Sequence, residues 1–233
     1  MNKFIFLLVA IGLLLPLSST QAGVVIGGTR FIYDAEKASL SIPVRNTSSS
    51  SWLIDSHVQP ASRWPGAETL PASAFVVTPP LFTLAAGQEN RLRLVYCGAG
   101  LPDDKESVFT LSIAAIPSGN VTANSVQMAF RSAMKLIYRP ANLRGDPQLA
   151  YRQLHWARGQ DGLAVHNPTP YYVTLFQLRI NGQSRDSAGV VAPFATRAIH
   201  GCQRTTACHL RWQSINDYGR VMPPLTADAT RQR

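Results

Sequence analysis

Alternation of apolar and other residues with a period of two limits the fold of this chain more than any other feature. It runs through residues 38–44 and 92–96, and again through residues 172–180. Successive side chains of a strand point to opposite faces, so the pattern predicts strands buried on one face. Turn-forming residues recur between such stretches, as at Thr78-Pro79-Pro80 and at Asn181-Gly182. Many short strands without a long helical stripe predict an all-β sandwich or barrel.

The first 22 residues, MNKFIFLLVAIGLLLPLSSTQA, predict a secretory signal peptide: a lysine, an apolar run and small residues before a cleavage point. The run is too short for a membrane span, so we expect an exported protein without membrane insertion. Removing it leaves about 210 residues, enough for two domains. The proline- and glycine-containing stretch PANLRGDP, residues 140–147, predicts a boundary between domains at residues 23–140 and 141–233.

The charge of the chain is strongly unbalanced. Its formal net charge is +9, although only 15% of its residues are charged. A basic surface or cleft that attracts an acidic partner is therefore expected, for example anionic lipid or a peptide carboxylate. The lysines and arginines are scattered and are not interleaved with aromatic residues, so the pattern does not favour nucleic acid as a partner.

Three cysteines in an exported chain predict one disulfide and one free thiol. Cys202 and Cys208 are close in sequence and suit a bridged turn or two adjacent strands, which leaves Cys97 reduced. His200 and His209 flank the pair and make a zinc site the alternative. The spacing fits no standard zinc motif, and an oxidising compartment would close the thiols first. We therefore predict a disulfide and no metal.

Signatures of an enzyme are missing from the sequence. It contains no nucleophile elbow, phosphate-binding glycine loop, zinc-protease helix or paired-carboxylate site. The five histidines are scattered, and none belongs to a recognisable catalytic arrangement. The sequence therefore predicts neither catalysis nor a cofactor, and the alternative of a secreted hydrolase on a β-sandwich lacks its nucleophile or metal.

Seven segments of the chain occur in the order typical of PapD-like periplasmic pilus chaperones, which it resembles from about Gly27 to Gly219. They are GTRFIYDAEK (28–37), TPPLFTLAAGQENRLRL (78–94), LPDDKESVF (101–109), Ile116-Pro117, MKLIYRP (134–140), NPTPYYVTL (167–175) and INDYG (215–219). The resemblance implies two immunoglobulin-like sandwiches joined at an angle, with a basic cleft between them. It also implies a periplasmic protein that binds, folds and caps pilus subunits by lending them a β-strand, and delivers them to an outer-membrane usher.

Two groups of residues take functional roles through this resemblance. Arg30 and Lys135 match the two cleft residues that hold the terminal carboxylate of a subunit, a task that suits a guanidinium and an ammonium. Val126, Met128 and Phe130 match the donor-strand residues, and in an extended chain their large apolar side chains share one face. Without the resemblance, the same alternation fits an ordinary core strand equally well.

A third group, Glu106, Arg139 and Asp217, matches an ionic cluster between the two domains, and the alternative is three unrelated surface charges. The sequence departs from the family pattern at Lys105, where an arginine is expected. The short connection Pro117–Asn124 resembles the branch of the family that assembles rod-like pili. The rival class is a pilus structural subunit or adhesin, which would be a single incomplete domain with an early cysteine pair.

Overall fold

The computed structural model describes residues 23–98, 100–118, 126–159, 162–185, 188–202 and 208–231. The predicted signal peptide and most of the connection Pro117–Asn124 lie outside this part of the chain, so the predictions made for them stay predictions. Within the described residues, no helix is both long and apolar enough to cross a membrane. The described part consists almost wholly of strands and loops, which confirms the all-β prediction.

In the described residues, the first sandwich contains nine strands and two short 3-10 helices, Ala61–Arg63 and Ala72–Ala74. The strands are β1 (Val24–Ile26), β2 (Arg30–Asp34), β3 (Leu40–Asn46), β4 (Trp52–Gln59), β5 (Phe75–Thr78), β6 (Leu81–Leu84), β7 (Glu89–Tyr96), β8 (Ser107–Pro117) and β9 (Phe130–Arg139). One sheet has the order β1-β3-β7-β5, and the other has the order β2-β9-β8-β4-β6. Apolar side chains of both sheets form one core.

The second sandwich contains the remaining described strands and one 3-10 helix, Ala150–Gln153. The strands are β10 (His155–Gly159), β11 (Gly162–His166), β12 (Val173–Thr174), β13 (Phe176–Ile180), β14 (Gln183–Arg185), β15 (Val190–Val191), β16 (Thr196–Ile199), β17 (His209–Gln213), β18 (Leu225–Asp228) and β19 (Thr230–Arg231). Its two larger sheets have the orders β16-β11-β10-β19 and β14-β13-β17-β18, and β12 pairs with β15. A separate core lies between them.

The predicted alternation explains the first core directly. Ile42 of β3 is opposite Leu92 of β7 in the antiparallel register, and both side chains are fully buried. Burying such a side chain contributes about 1.5–3 kcal/mol. The intervening residues of both strands face outward, so each strand is buried on one face, as the pattern indicates.

The alternation over residues 172–180 does not form the single strand that its period suggests. β12 ends at Thr174 and belongs to a different sheet from β13, which begins at Phe176. Between them, the Leu175 N–H donates to the Gly189 carbonyl at 2.9 Å. Within β13, Gln177 has a φ of 47°. The chain crosses between sheets here, so this alternation spans two short strands of different sheets.

Strand β9 pairs with its two neighbours over different lengths. It is antiparallel to β8 from Phe130 to Tyr138, but parallel to β2 only from Lys135 to Arg139. Within the described part of the chain, residues 130–134 therefore have no neighbouring strand on the β2 side. We call residues 126–134 on this side, the four residues before β9 together with its first five, the free edge of β9. It ends where β2 begins, at Arg30.

The stretch between the sandwiches is tied to the second one. The Tyr171 hydroxyl lies 3.2 Å from the Leu143 carbonyl oxygen and 3.1 Å from that of Gly145, and donates to this pair. The proposed division between residues 140 and 141 stays a prediction. A narrow cavity between the sandwiches is lined by Arg30, Glu106, Arg139, Tyr172 and Asp217 among others.

Candidate functional site

Two cations lie side by side at the end of the free edge. Arg30 is the first residue of β2, and its register partner on β9 is Lys135. Partners on neighbouring strands carry their side chains on the same face of a sheet. The guanidinium and the ammonium therefore share the face that looks towards the second sandwich.

The Arg30 guanidinium is held by uncharged oxygen atoms of the second sandwich. Its Nη1 donates to the carbonyls of Ile215 and Asn216, and its Nη2 donates to Thr174 Oγ1 at 2.9 Å. A guanidinium has five N–H groups, so these three bonds leave two for another acceptor. Burial lowers the pKa of Arg30, although the carboxylates of Asp217 and Glu106 act in the opposite direction.

The Lys135 ammonium lies on an aromatic ring. Its Nζ is 4.0 Å from the centroid of the Trp64 ring. Burial, and secondly the positive charge of Arg30, lower the pKa of Lys135 to about 8. Among the described residues, no carboxylate lies within 4.0 Å of either Lys135 or Arg30. Two partly buried cations with no carboxylate in direct contact form a site that favours an anion.

The three residues of the predicted ionic cluster lie in direct contact. Arg139 Nε donates to Glu106 Oε1 at 2.7 Å, and its two Nη atoms donate to the Asp217 carboxylate at 2.8 and 3.0 Å. The other oxygen of Glu106 accepts the Tyr172 backbone N–H at 2.7 Å. Glu106 is 1% exposed, and this burial raises its pKa to about 7 against the opposing effect of Arg139. The cluster joins both sandwiches.

The predicted donor-strand residues are exposed. Val126, Met128 and Phe130 are 90%, 62% and 56% accessible, whereas Met134, on the same face of β9 as Phe130, is 6% accessible. The Phe130 ring approaches Trp52 with a centroid distance of 6.3 Å. These exposures do not fit the alternative of an ordinary core strand. The apolar face of β9 thus continues beyond the core that covers its other end.

The cysteines divide into a bonded pair and a free thiol. Cys202 and Cys208 form a disulfide with their Cα atoms 6.1 Å apart, and both are buried in the second core. Cys97 is free and exposed. Since the paired sulfurs are bonded to each other, they are not available as zinc ligands.

Several contacts of the site were not predicted from the sequence. Trp64, Thr174 and the carbonyls of Ile215 and Asn216 hold the two cations, but backbone oxygens carry no side-chain signal, and Trp64 lies outside the seven family-like segments. Lys105, the departure from the family pattern, binds Glu68 of its own sandwich at 2.9 Å. The charge of Lys105 is therefore paired with a carboxylate of the first sandwich.

Comparisons with known proteins match nearly the whole described chain. The family model for the N-terminal domain of the PapD pili and flagellar-assembly chaperones matches residues 23–144, and the model for the PapD C-terminal domain matches residues 149–225. The chain is 46% identical to the uncharacterized fimbrial chaperone YcbF of Escherichia coli K12, covering 94% of this chain and 93% of that protein. It is 35% identical to the chaperone FimC of E. coli strain CFT073, covering 88% and 84%.

Two solved structures that contain or consist of chaperones also match this chain. The structure of Salmonella enterica SafA pilin in complex with the SafB chaperone matches with a TM-score of 0.74 and 28% identity, covering 91% of this chain and 98% of the matched chain. The E. coli chaperone DraB matches with a TM-score of 0.72 and 30% identity, covering 89% and 96%.

Proposed function

Since the chain belongs to the PapD-like family of pilus-assembly chaperones, we propose that it acts in the periplasm, where it binds, folds and caps pilus subunits and delivers them to an outer-membrane usher. Its relatives are named fimbrial chaperones, which favours this function over the rival class of pilus subunit or adhesin. The observation that carries the proposal is the free edge of β9, which ends beside Arg30 and Lys135, two cations that have no carboxylate within 4.0 Å in the described part of the chain.

The free edge supplies what an incomplete sandwich lacks. A subunit without one of its strands exposes unpaired backbone groups and an apolar groove, and both promote aggregation. Residues 126–134 offer backbone groups for strand pairing, and Val126, Met128 and Phe130 offer exposed apolar side chains for the groove. Strand addition satisfies both needs at once.

The position of the two cations fixes the direction of the added strand. A subunit whose terminal carboxylate lies at Arg30 and Lys135 occupies the edge that precedes β2. Its last strand must then run towards Arg30, in the same direction as β9, because the carboxylate ends the subunit chain and the free edge precedes Lys135 along β9. The subunit strand and β2 thus lie end to end beside one long strand.

The same cations fix the register. Nine residues separate Val126 from Lys135, a span of about 30 Å in an extended chain. A carboxylate fixed at one end aligns each residue of the subunit strand with one residue of the free edge. A slip of one residue would turn the apolar side chains to the wrong face, so the anchor selects the pairing that fills the groove.

The anchor is tested with two peptides of about ten residues, the length of the free edge, that alternate valine and threonine. The acid probe ends in a free carboxylate, and the amide probe ends in a carboxamide. We expect Lys135→Ala to weaken binding of the acid probe by about 10- to 100-fold, the loss of a charge-assisted hydrogen bond. Binding of the amide probe should not change.

Lys37→Ala is the matched control, because Lys37 is an exposed lysine of the same sandwich, with 70% of its side chain accessible. Lys135→Ala is also cleaner than Arg30→Ala, because Arg30 additionally holds the second sandwich. In a periplasmic pull-down with a pilus subunit, Lys135→Ala and Arg30→Ala should each abolish capture of the subunit. Undiminished recovery by a folded Arg30→Ala, Lys135→Ala double variant would refute the anchor.

A further inference from the structure

The Trp64 indole is the surface on which the anchor lysine rests. Trp64 lies in the loop between β4 and β5, and the Lys135 Nζ is 4.0 Å from its ring centroid. The ring packs against a small apolar cluster built on Ala61, Val108 and Ile137. The ring is thus held by apolar contacts, and the ammonium lies over its face.

The second sandwich holds this loop in place. The Pro65 carbonyl accepts the Val190 backbone N–H at 2.8 Å and Arg197 Nη1 at 3.1 Å. The Glu68 N–H donates to the Tyr172 hydroxyl at 3.3 Å. We call residues 64–68 the Trp64 loop. Its position depends on contacts that come from the other sandwich.

Gly66 shows how close this contact is. A Cβ atom at Gly66 would lie 2.1 Å from the Val190 carbonyl oxygen, and its φ of 85° is one that other residues rarely adopt. From the opposite side, a Cβ atom at Gly189 would lie 2.1 Å from the Pro65 carbonyl oxygen. The two backbones therefore meet without room for a side chain.

The Trp64 ring restrains the Lys135 side chain, which is flexible and is repelled by Arg30. Lysine has a long, flexible side chain, and Arg30 repels its charge, so an unrestrained ammonium would turn away from the cleft. The negative face of an aromatic ring attracts a cation without neutralising it. An ammonium held in this way is already in place when a carboxylate arrives, which reduces the entropy lost on binding.

We propose that Trp64 is a positioning residue of the carboxylate anchor, holding the Lys135 ammonium beside Arg30, and that the second sandwich maintains this arrangement through the Trp64 loop. The inference rests on the function proposed above. It assigns to the contact between the sandwiches a part in subunit binding, since the same contact fixes the surface under the lysine.

The test compares Trp64→Leu, which keeps apolar packing but removes the ring, with Trp64→Phe, which restores an aromatic face. Trp64→Leu should weaken binding of the acid probe by about 3- to 30-fold, and Trp64→Phe should recover most of the loss. Binding of the amide probe should not change. In a Lys135→Ala background, Trp64→Leu should have no further effect, because the two residues act as one unit.

A second arm tests the role of the loop without altering the ring. Gly66→Ala should displace the loop and weaken acid-probe binding. Gly87→Ala is the control, because Gly87 has a similar φ of 70° but no atom within 4 Å of the added Cβ. Acid-probe binding by Gly66→Ala equal to that by Gly87→Ala would overturn the role of the second sandwich.

The outcomes separate this inference from the function on which it rests. If Lys135→Ala loses the acid probe while a folded Trp64→Leu binds it normally, the anchor stands and the positioning role is overturned. If Lys135→Ala itself binds the acid probe normally, the proposed anchor is refuted and the role of Trp64 in it falls as well. If Trp64→Leu does not fold, the comparison of Gly66→Ala with Gly87→Ala decides, because neither variant alters the ring.

Discussion

Lys135 is a lysine whose charge is easily lost, and this property gives the anchor a pH dependence. Its pKa of about 8 lies below the ordinary value because of burial and the nearby Arg30. The terminal carboxylate of a peptide is ionised well below this pH. Affinity for the acid probe should therefore be highest below about pH 8 and fall as the pH rises through it, measured by fluorescence anisotropy across the range.

Lys135→Arg tests whether other groups near Lys135 cause the fall in affinity for the acid probe. In this variant the fall should disappear. Arg139 has a raised pKa and stays charged, the pKa of Glu106 is about 7, and the raised pKa of Tyr172 keeps its phenol neutral. The contribution of Lys135 to folding stability depends on pH in the opposite direction to its contribution to binding. The unfolded chain binds the lysine proton more tightly between about pH 8 and 10.5, so this residue makes the free protein more stable as the pH rises. A fall that persists in Lys135→Arg would assign it to another group.

At the scale of elements, β9 carries the second prediction. Charged replacements on its apolar face, Met128→Glu or Phe130→Glu, should weaken subunit capture because a carboxylate would enter the apolar groove. Ala129→Glu adds the same charge between these two positions and, in an extended strand, points to the opposite face. It should leave capture nearly unchanged. Equal losses for all three variants in a periplasmic pull-down would show that charge rather than face decides.

The strands also show how far the sequence alone can reach. Alternation predicted β3 and β7, because a half-buried strand repeats its environment every two residues. It could not predict the break after Thr174, which depends on a contact with Gly189. Arg30 and Lys135 were identified through family-like segments. Trp64 was missed because its contact with Lys135 joins a loop and a strand that are distant in sequence.

For the molecule as a whole, the Arg139 cluster should stabilise the arrangement of the two sandwiches. Arg139→Met leaves the buried Glu106 carboxylate and Asp217 without their partner, which should cost about 3–5 kcal/mol in the free energy of unfolding measured with urea. The double variant Arg139→Met, Glu106→Gln removes the stranded charge and should recover part of this loss. A Glu106→Gln replacement that makes Arg139→Met less stable would contradict this explanation.

The direction in which the free energy of unfolding depends on pH follows from the pKa of Glu106. Its pKa in the folded protein, about 7, is above the ordinary value of 4.5, so the folded state binds the proton more tightly. This group therefore adds stability at low pH and loses that contribution as the pH rises from 4.5 to about 7. Arg139 lowers the pKa of Glu106, so Arg139→Met should raise that pKa above about 7. The deficit of Arg139→Met should therefore shrink as the pH falls towards about 7 and stay constant from there to 4.5, and the shrinkage should vanish in the double variant.

Because β2 pairs with β9 from Lys135 onward, the protein should recognise the carboxy-terminal end of a bound chain. From Lys135 onward the edge is occupied, so a guest strand has to terminate there. A polypeptide that continues past its last strand residue, for example into a carboxy-terminal affinity tag, would collide with Arg30 before its charge could be recognised. A tag at the opposite end meets no such barrier. Binding should therefore depend on where a client stops, and two clients of identical strand sequence should be told apart by a few trailing residues.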